Sequence, residues 1–272
     1  MINKSNINST GLDRRSFLAR ASLMGVASLL PFTALLRASG EESNRMRRSS
    51  LNPDDRNIIV AAEIAEALAV TTYMNIINNS PFYTRLPAAD QSYLTAALQE
   101  EMSHYLIEES VTGMKTPYTK FYYPPNMFLD PQTTLNILVT LEDAFIAAYL
   151  VGVRNFTTAD LRVTAARIMG IESDHRSLAR VIGADIDPQD GGPLTTITGA
   201  QGVPESITPA NNNGYERTLE WTNISQAVAA LTPFVDIKAA HKARFDTSVS
   251  FDFEPFTPTL PTGMGDFISF GG

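Results

Sequence analysis

The sequence predicts an all-α fold: a four-helix bundle with a long crossover between its second and third helices. A C-terminal extension follows, with one or two further helices and an irregular tail. Three observations carry this prediction. Four segments of about 22 to 27 residues, long enough for helices of roughly 35 to 40 Å, begin and end on residues suited to helix termini. The links within the first and second pairs are short, whereas the link between the pairs is long and rich in proline and aromatics. After Gly183 the composition shifts to Asp, Gly, Pro, Thr and Asn, which reads as a surface loop.

The elements follow in order. Residues 1–40 read as a targeting segment. Asp13-Arg14-Arg15-Ser16-Phe17-Leu18 sets a twin arginine before an apolar run from Ala21 to Leu36, which is short for a membrane span. Ala38-Ser39-Gly40 offers small residues for cleavage. This resembles a bacterial twin-arginine (Tat) signal, which implies export to the periplasm or beyond and no stable membrane span after cleavage. Removal takes away Lys4, Arg14, Arg15, Arg20, Arg37 and Asp13, moving the formal charge from −8 to −12. So acidic a chain is a poor partner for nucleic acid or anionic lipid. Residues 41–55 form a linker containing Arg45 to Arg48.

The bundle is expected over 56–184. Segment A opens near Asp54-Asp55 and closes at Asn78-Asn79-Ser80-Pro81, and segment B runs from Pro87-Ala88-Ala89-Asp90 to Gly113. Segment C has Asp130 as cap and Pro131 first, ending at Gly152; segment D begins at Thr157-Thr158 and ends at Gly183. The link from Met114 to Asp130, with Pro117, Pro124 and Pro125, is long enough to cross the bundle end. In the extension, 185–272, a fifth helix is expected between Tyr215 and Leu231, holding Trp221 and broken by Pro233. A shorter helix through His241 and an extended tail from Ser248 follow.

Two of the three histidines lie three residues after a glutamate, in Glu101-Met-Ser-His104 and Glu172-Ser-Asp-His175. On a helix that spacing aims both side chains at one point. Segments A and C each carry a glutamate and, seven residues on, a tyrosine: Glu66 with Tyr73, Glu142 with Tyr149. The pattern thus occurs twice and brings four carboxylates and two imidazoles toward one centre. Without cysteine, these hard oxygen and nitrogen donors suit iron, manganese or zinc. Glu63, one turn before Glu66, is the alternative on segment A; the mirrored tyrosine spacing favours Glu66.

With these motifs, residues 56–184 resemble the ferritin-like superfamily of di-iron and di-manganese carboxylate proteins, in which two helices give one Glu each and two give Glu-x-x-His. The resemblance extends to exported ferritin-like-domain proteins that include the plant desiccation-related proteins. It implies two metal ions per chain, Fe or Mn, with Glu66 and Glu142 as terminal ligands. Glu101 and Glu172 would bridge, and His104 and His175 would each take one metal. Tyr73 and Tyr149 would hydrogen-bond the ligands. It further implies chemistry with O2 or peroxide, as a ferroxidase or in peroxide detoxification under oxidative stress, and is compatible with a homo-oligomer. The alternative is a non-catalytic, stress-protective or structural bundle whose metal site is vestigial or stabilising.

Other residues draw plainer expectations. Glu100, Glu108, Glu109, Glu216 and Glu220 are expected in solvent, although Glu108 falls seven after Glu101. Asp143 and Asp174 adjoin the motif on neighbouring faces. His241 is expected at the surface, and Asp185-x-Asp187-x-x-Asp190-Gly191 as a surface turn rather than a calcium loop.

Overall fold

A computed structural model describes residues 51–199, 202–208 and 219–259. The targeting segment, most of the linker, Tyr215 and Glu216 lie outside the described residues. Four long helices appear where the cap residues put them. In α1 (Pro53–Asn79) the Asn52 side chain accepts from the Asp54 amide and Pro53 takes the first helical position. Helix α2 (Ala88–Thr112) ends at Gly113, whose φ of 65° is the left-handed cap that glycine adopts at least cost. In α3 (Pro131–Asn155) Asp130 caps the Thr133 amide, and in α4 (Ala159–Ala184) Thr158 caps that of Leu161.

Neither Gly152 nor Gly183 ends its helix as the sequence suggested. Helix α3 runs on to Asn155, and a Cβ at Gly152 would meet the Phe156 ring at 2.7 Å. At Gly183 a Cβ would collide with Ile207 of the extension. Both glycines are there for close approach rather than termination.

Helix α1 packs mainly on α2, and α3 on α4, giving two antiparallel hairpins that meet through α1–α3 and α2–α4. Helices α1 and α3 are buried over most of their length, which is why they are apolar enough to resemble membrane spans in composition alone. The crossover contributes β1 (Lys120–Tyr123), and its Phe121, Tyr123, Met127 and Phe128 are buried in the main core. Each such apolar side chain adds about 1.5 to 3 kcal/mol of burial.

The extension closes on the bundle in three places. A short ribbon of β2 (Thr196–Thr198) and β3 (Pro204–Ser206) sits beside α3. Helix α5 (Ile224–Val235) starts later than expected. An Asn223–Gln226 capping box sets its N-terminus, so Trp221 lies before it, and Pro233 falls within its last turn without breaking it. The break comes at Asp236, which caps α6 (Ile237–Ala243) through the Ala239 amide. His241 is exposed. The tail then forms β4 (Asp246–Asp252), antiparallel to β1 with Phe121 opposite Phe251. Tyr123 stands edge-on to Phe128, Phe234 and Phe251, joining crossover, α5 and tail in one aromatic cluster.

Candidate metal centre

At mid-height the bundle interior turns from apolar to acidic. Glu66 comes from α1, Glu101 and His104 from α2, Glu142 from α3, Glu172 and His175 from α4, and all six are buried. They fall into two overlapping groups, Glu66–Glu101–His104–Glu172 and Glu101–Glu142–Glu172–His175, each with its donor atoms within 4.8 Å of one another. Glu101 and Glu172 belong to both, so they stand where a carboxylate could face two ions.

The imidazoles point the same nitrogen inward. His104 Nδ1 lies 3.2 Å from Glu172 Oε1 and 3.5 Å from Glu66 Oε2. His175 Nδ1 lies 2.8 Å from Glu101 Oε1 and 3.4 Å from Glu172 Oε2. On its outer side His175 Nε2 meets Glu100 Oε2 at 2.9 Å. That contact holds a proton on Nε2, so the lone pair that a cation would use is the one at Nδ1.

The tyrosines cross between hairpins. Tyr73 on α1 donates to Glu142 Oε1 on α3 at 2.7 Å, and Tyr149 on α3 donates to Glu66 on α1. Each tyrosine therefore holds the glutamate of the opposite hairpin, not the one that shares its own helix face. Burial, then the neighbouring carboxylates, push both phenols well above the ordinary tyrosine range, so they stay neutral donors.

Electrostatics explains what such a cluster demands. Burial, with the charges of Glu172 and Glu101, drives Glu66 well above the usual carboxylate range, and burial with the same two charges does so for Glu142. For Glu101, burial is outweighed by the His175 charge and by contacts to the imidazoles, and its acidity is increased. Burial would lower His104, but Glu66 and the other carboxylates prevail and raise it; Glu101 foremost does the same for His175. Cation-free, Glu66, Glu142 and the two imidazoles hold protons more tightly than they would in water.

Among the described residues, eight inward donor atoms have no hydrogen-bond partner: Glu66 Oε2, both oxygens of Glu101 and of Glu172, Glu142 Oε2, and Nδ1 of each histidine. Several lie close together without the alignment of a hydrogen bond. Their lone pairs converge on shared space, a donor set that could hold metal ions.

Glu63 is buried on α1 but lies outside both groups, accepting instead from Thr112 Oγ1 at 3.3 Å. Of the glutamates expected in solvent, Glu108 is not there, and Glu100 is partly exposed but has a partner. Glu100 reaches across to His175, and Glu108 is buried with Oε1 2.7 Å from the Tyr149 hydroxyl. For Glu108 the sequence held the signal, since seven residues from Glu101 keeps it on the inner face. Asp143 is buried in an ion pair with Arg176, while Asp174 is exposed. Arg176 also faces Glu205 of β3 at 3.4 Å, and Glu205 pairs with Arg180, which is wholly buried. This network fastens the extension to the helices behind Glu142 and His175.

Residues 54–183 match the model of the ferritin-like domain family, which spans the four helices and every residue of the cluster. The match and the bundle together support the ferritin-like superfamily for this region. No curated protein matches the chain.

Proposed function

We propose that this ferritin-like domain holds a dinuclear iron or manganese centre and works on O2 or peroxide, as a ferroxidase or in peroxide detoxification. The observation that carries the reading is the set of eight buried, unpartnered donor atoms on Glu66, Glu101, His104, Glu142, Glu172 and His175. Four carboxylates would offset the charge of two divalent ions. Glu101 and Glu172, which belong to both donor groups, would serve both ions, Glu66 and Glu142 would each serve one, and the histidines would supply neutral nitrogen. Tyr73 and Tyr149 orient the end carboxylates across the hairpins and keep their protons. When bound, the metal pair supplies electrons and Lewis acidity; the protein supplies position, charge balance and a dry surround.

The twin arginine Arg14-Arg15 supports export of the folded, loaded protein to the periplasm or outside the cell. Arg14→Lys with Arg15→Lys should leave the protein in the cytoplasm. The central test is metal content. Wild type should hold about two ions per chain, lost together in Glu101→Ala/Glu172→Ala. A double variant that keeps its full metal would end the reading. Melting with and without chelator, beside O2 consumption on adding Fe(II), separates a catalytic centre from a stabilising one.

A further inference from the structure

Two buried carboxylates stand beside the cluster without belonging to it. Glu63 is 0% exposed and Glu108 5%; Thr112, one turn after Glu108 on α2, reaches across to Glu63 on α1. Glu63 Oε2 accepts from Thr112 Oγ1 at 3.3 Å, while its Oε1 has no partner. Glu108 Oε1 meets the Tyr149 hydroxyl, and its Oε2 has no partner. Buried carboxylate oxygens are costly to leave unpaired.

The arrangement is one-sided. If Glu66 is set on Glu142 and Glu101 on Glu172, then Glu63, Glu108 and Thr112 correspond to Val139, Ala179 and Gly183 of the second hairpin. The symmetric six-residue centre therefore does not need them. Tyr149 adds a constraint: its single proton faces both Glu66 and Glu108, so it cannot satisfy two carboxylate anions at once. A positive charge near Glu108 would resolve that conflict. Burial foremost, and then the Glu63 charge, raise Glu108 well above the usual carboxylate range, as expected for two acids within electrostatic reach.

We infer that Glu63 and Glu108, with the Thr112 hydroxyl, form a separate site for a single divalent cation on the first hairpin only. Two carboxylates balance its charge, and an all-oxygen set suits Mn2+ or Fe2+. Tyr149 links this site to Glu66, so an ion there sits next to the dinuclear centre. The inference rests on the metal-protein reading for the identity of the cation alone.

The test counts Mn2+ bound at saturation after chelator stripping. Wild type should bind one ion more than Glu63→Gln/Glu108→Gln, and Glu101→Gln/Glu172→Gln should retain that one ion while losing the pair. Equal stoichiometry in wild type and Glu63→Gln/Glu108→Gln overturns the inference. If Glu101→Gln/Glu172→Gln changes nothing but Glu63→Gln/Glu108→Gln loses its ion, the dinuclear reading falls and this site stands. Should the Glu63→Gln/Glu108→Gln chain not fold, Mn2+ paramagnetic resonance on wild type decides. The resolved hyperfine spectrum of an isolated ion beside the broad signal of a coupled pair is expected; a coupled signal alone overturns the site.

Discussion

The two hairpins contribute matching sets to the centre and differ in almost everything around it. Each gives one Glu, one Glu-x-x-His and one tyrosine, and the tyrosines reach across so that each hairpin holds the other's carboxylate. Around that common set the first hairpin adds acids: Glu63, Glu100 and Glu108, whose counterparts are Val139, Ile171 and Ala179. The second adds bases: Arg176 and Arg180, in place of Tyr105 and Glu109, paired with Asp143 and with Glu205 from the extension. A repeated half therefore became unequal in charge. One side is tied down by an ion network, and the other is left with Glu63 and Glu108, each with a buried oxygen that has no hydrogen-bond partner among the described residues.

The largest effect expected from breaking this contrast lies on the basic side. Glu205→Ala leaves Arg180 buried without its carboxylate, and denaturant unfolding should show a loss of about 3–5 kcal/mol. Replacing both partners, as Arg180→Met/Glu205→Leu, should cost much less than the single change. An equal loss in both would mean that packing, not charge, holds the extension down.

Next come the crossed tyrosines. Tyr149 touches two carboxylates and Tyr73 one, so Tyr149→Phe should weaken metal binding the more, by about 10- to 100-fold in chelator competition. Equal losses would restore symmetry to the centre. Glu100→Gln is a finer probe, because among the described residues this outer carboxylate meets His175 and not His104. It should weaken one of the two ions, by roughly tenfold, and leave the other unchanged.

Local chemistry explains how much of this was legible in the sequence. Asn52, Asp130, Thr158 and Gly113 mark helix ends through short-range hydrogen bonds and backbone preference, so the four helices could be placed from the chain alone. Six inward residues followed from the i, i+3 and i, i+7 spacings, and the geometry sets Glu66 rather than Glu63 in the cluster. What the chain did not disclose depends on contacts between elements. Whether Tyr73 turns to Glu66 or to Glu142 is decided by how α1 packs on α3. Glu205 lies in a loop with no period, and nothing local announces that it will meet two arginines. Gly152 and Gly183 look like helix stops until the Phe156 ring and Ile207 are seen against them.

The smallest predicted effect is at the seam where the N-terminus of α2 meets the C-terminus of α4. Asp90, in the first turn of α2, is buried, and its neighbour Asp185 caps the end of α4. Burial first, then the charge of Asp185 and a hydrogen bond to it, raise Asp90 to about 6. Its folded pKa thus stands above its unfolded one, and the folded chain holds a proton that the unfolded chain has already released. This contribution to stability is complete below about pH 4 and is lost as the pH climbs through about 6. Asp90→Asn keeps the shape and removes the titration. With metal content held fixed, the variant should melt with wild type at pH 4 and about 2–4 °C above it at pH 7, the shift that about 1 kcal/mol gives in a domain of this size. A variant that melts below wild type at pH 7 would mean that the Asp90 charge serves the α2 N-terminus more than its burial opposes it. In that case the two hairpins meet through attraction to a helix end, not across a strained pair of acids.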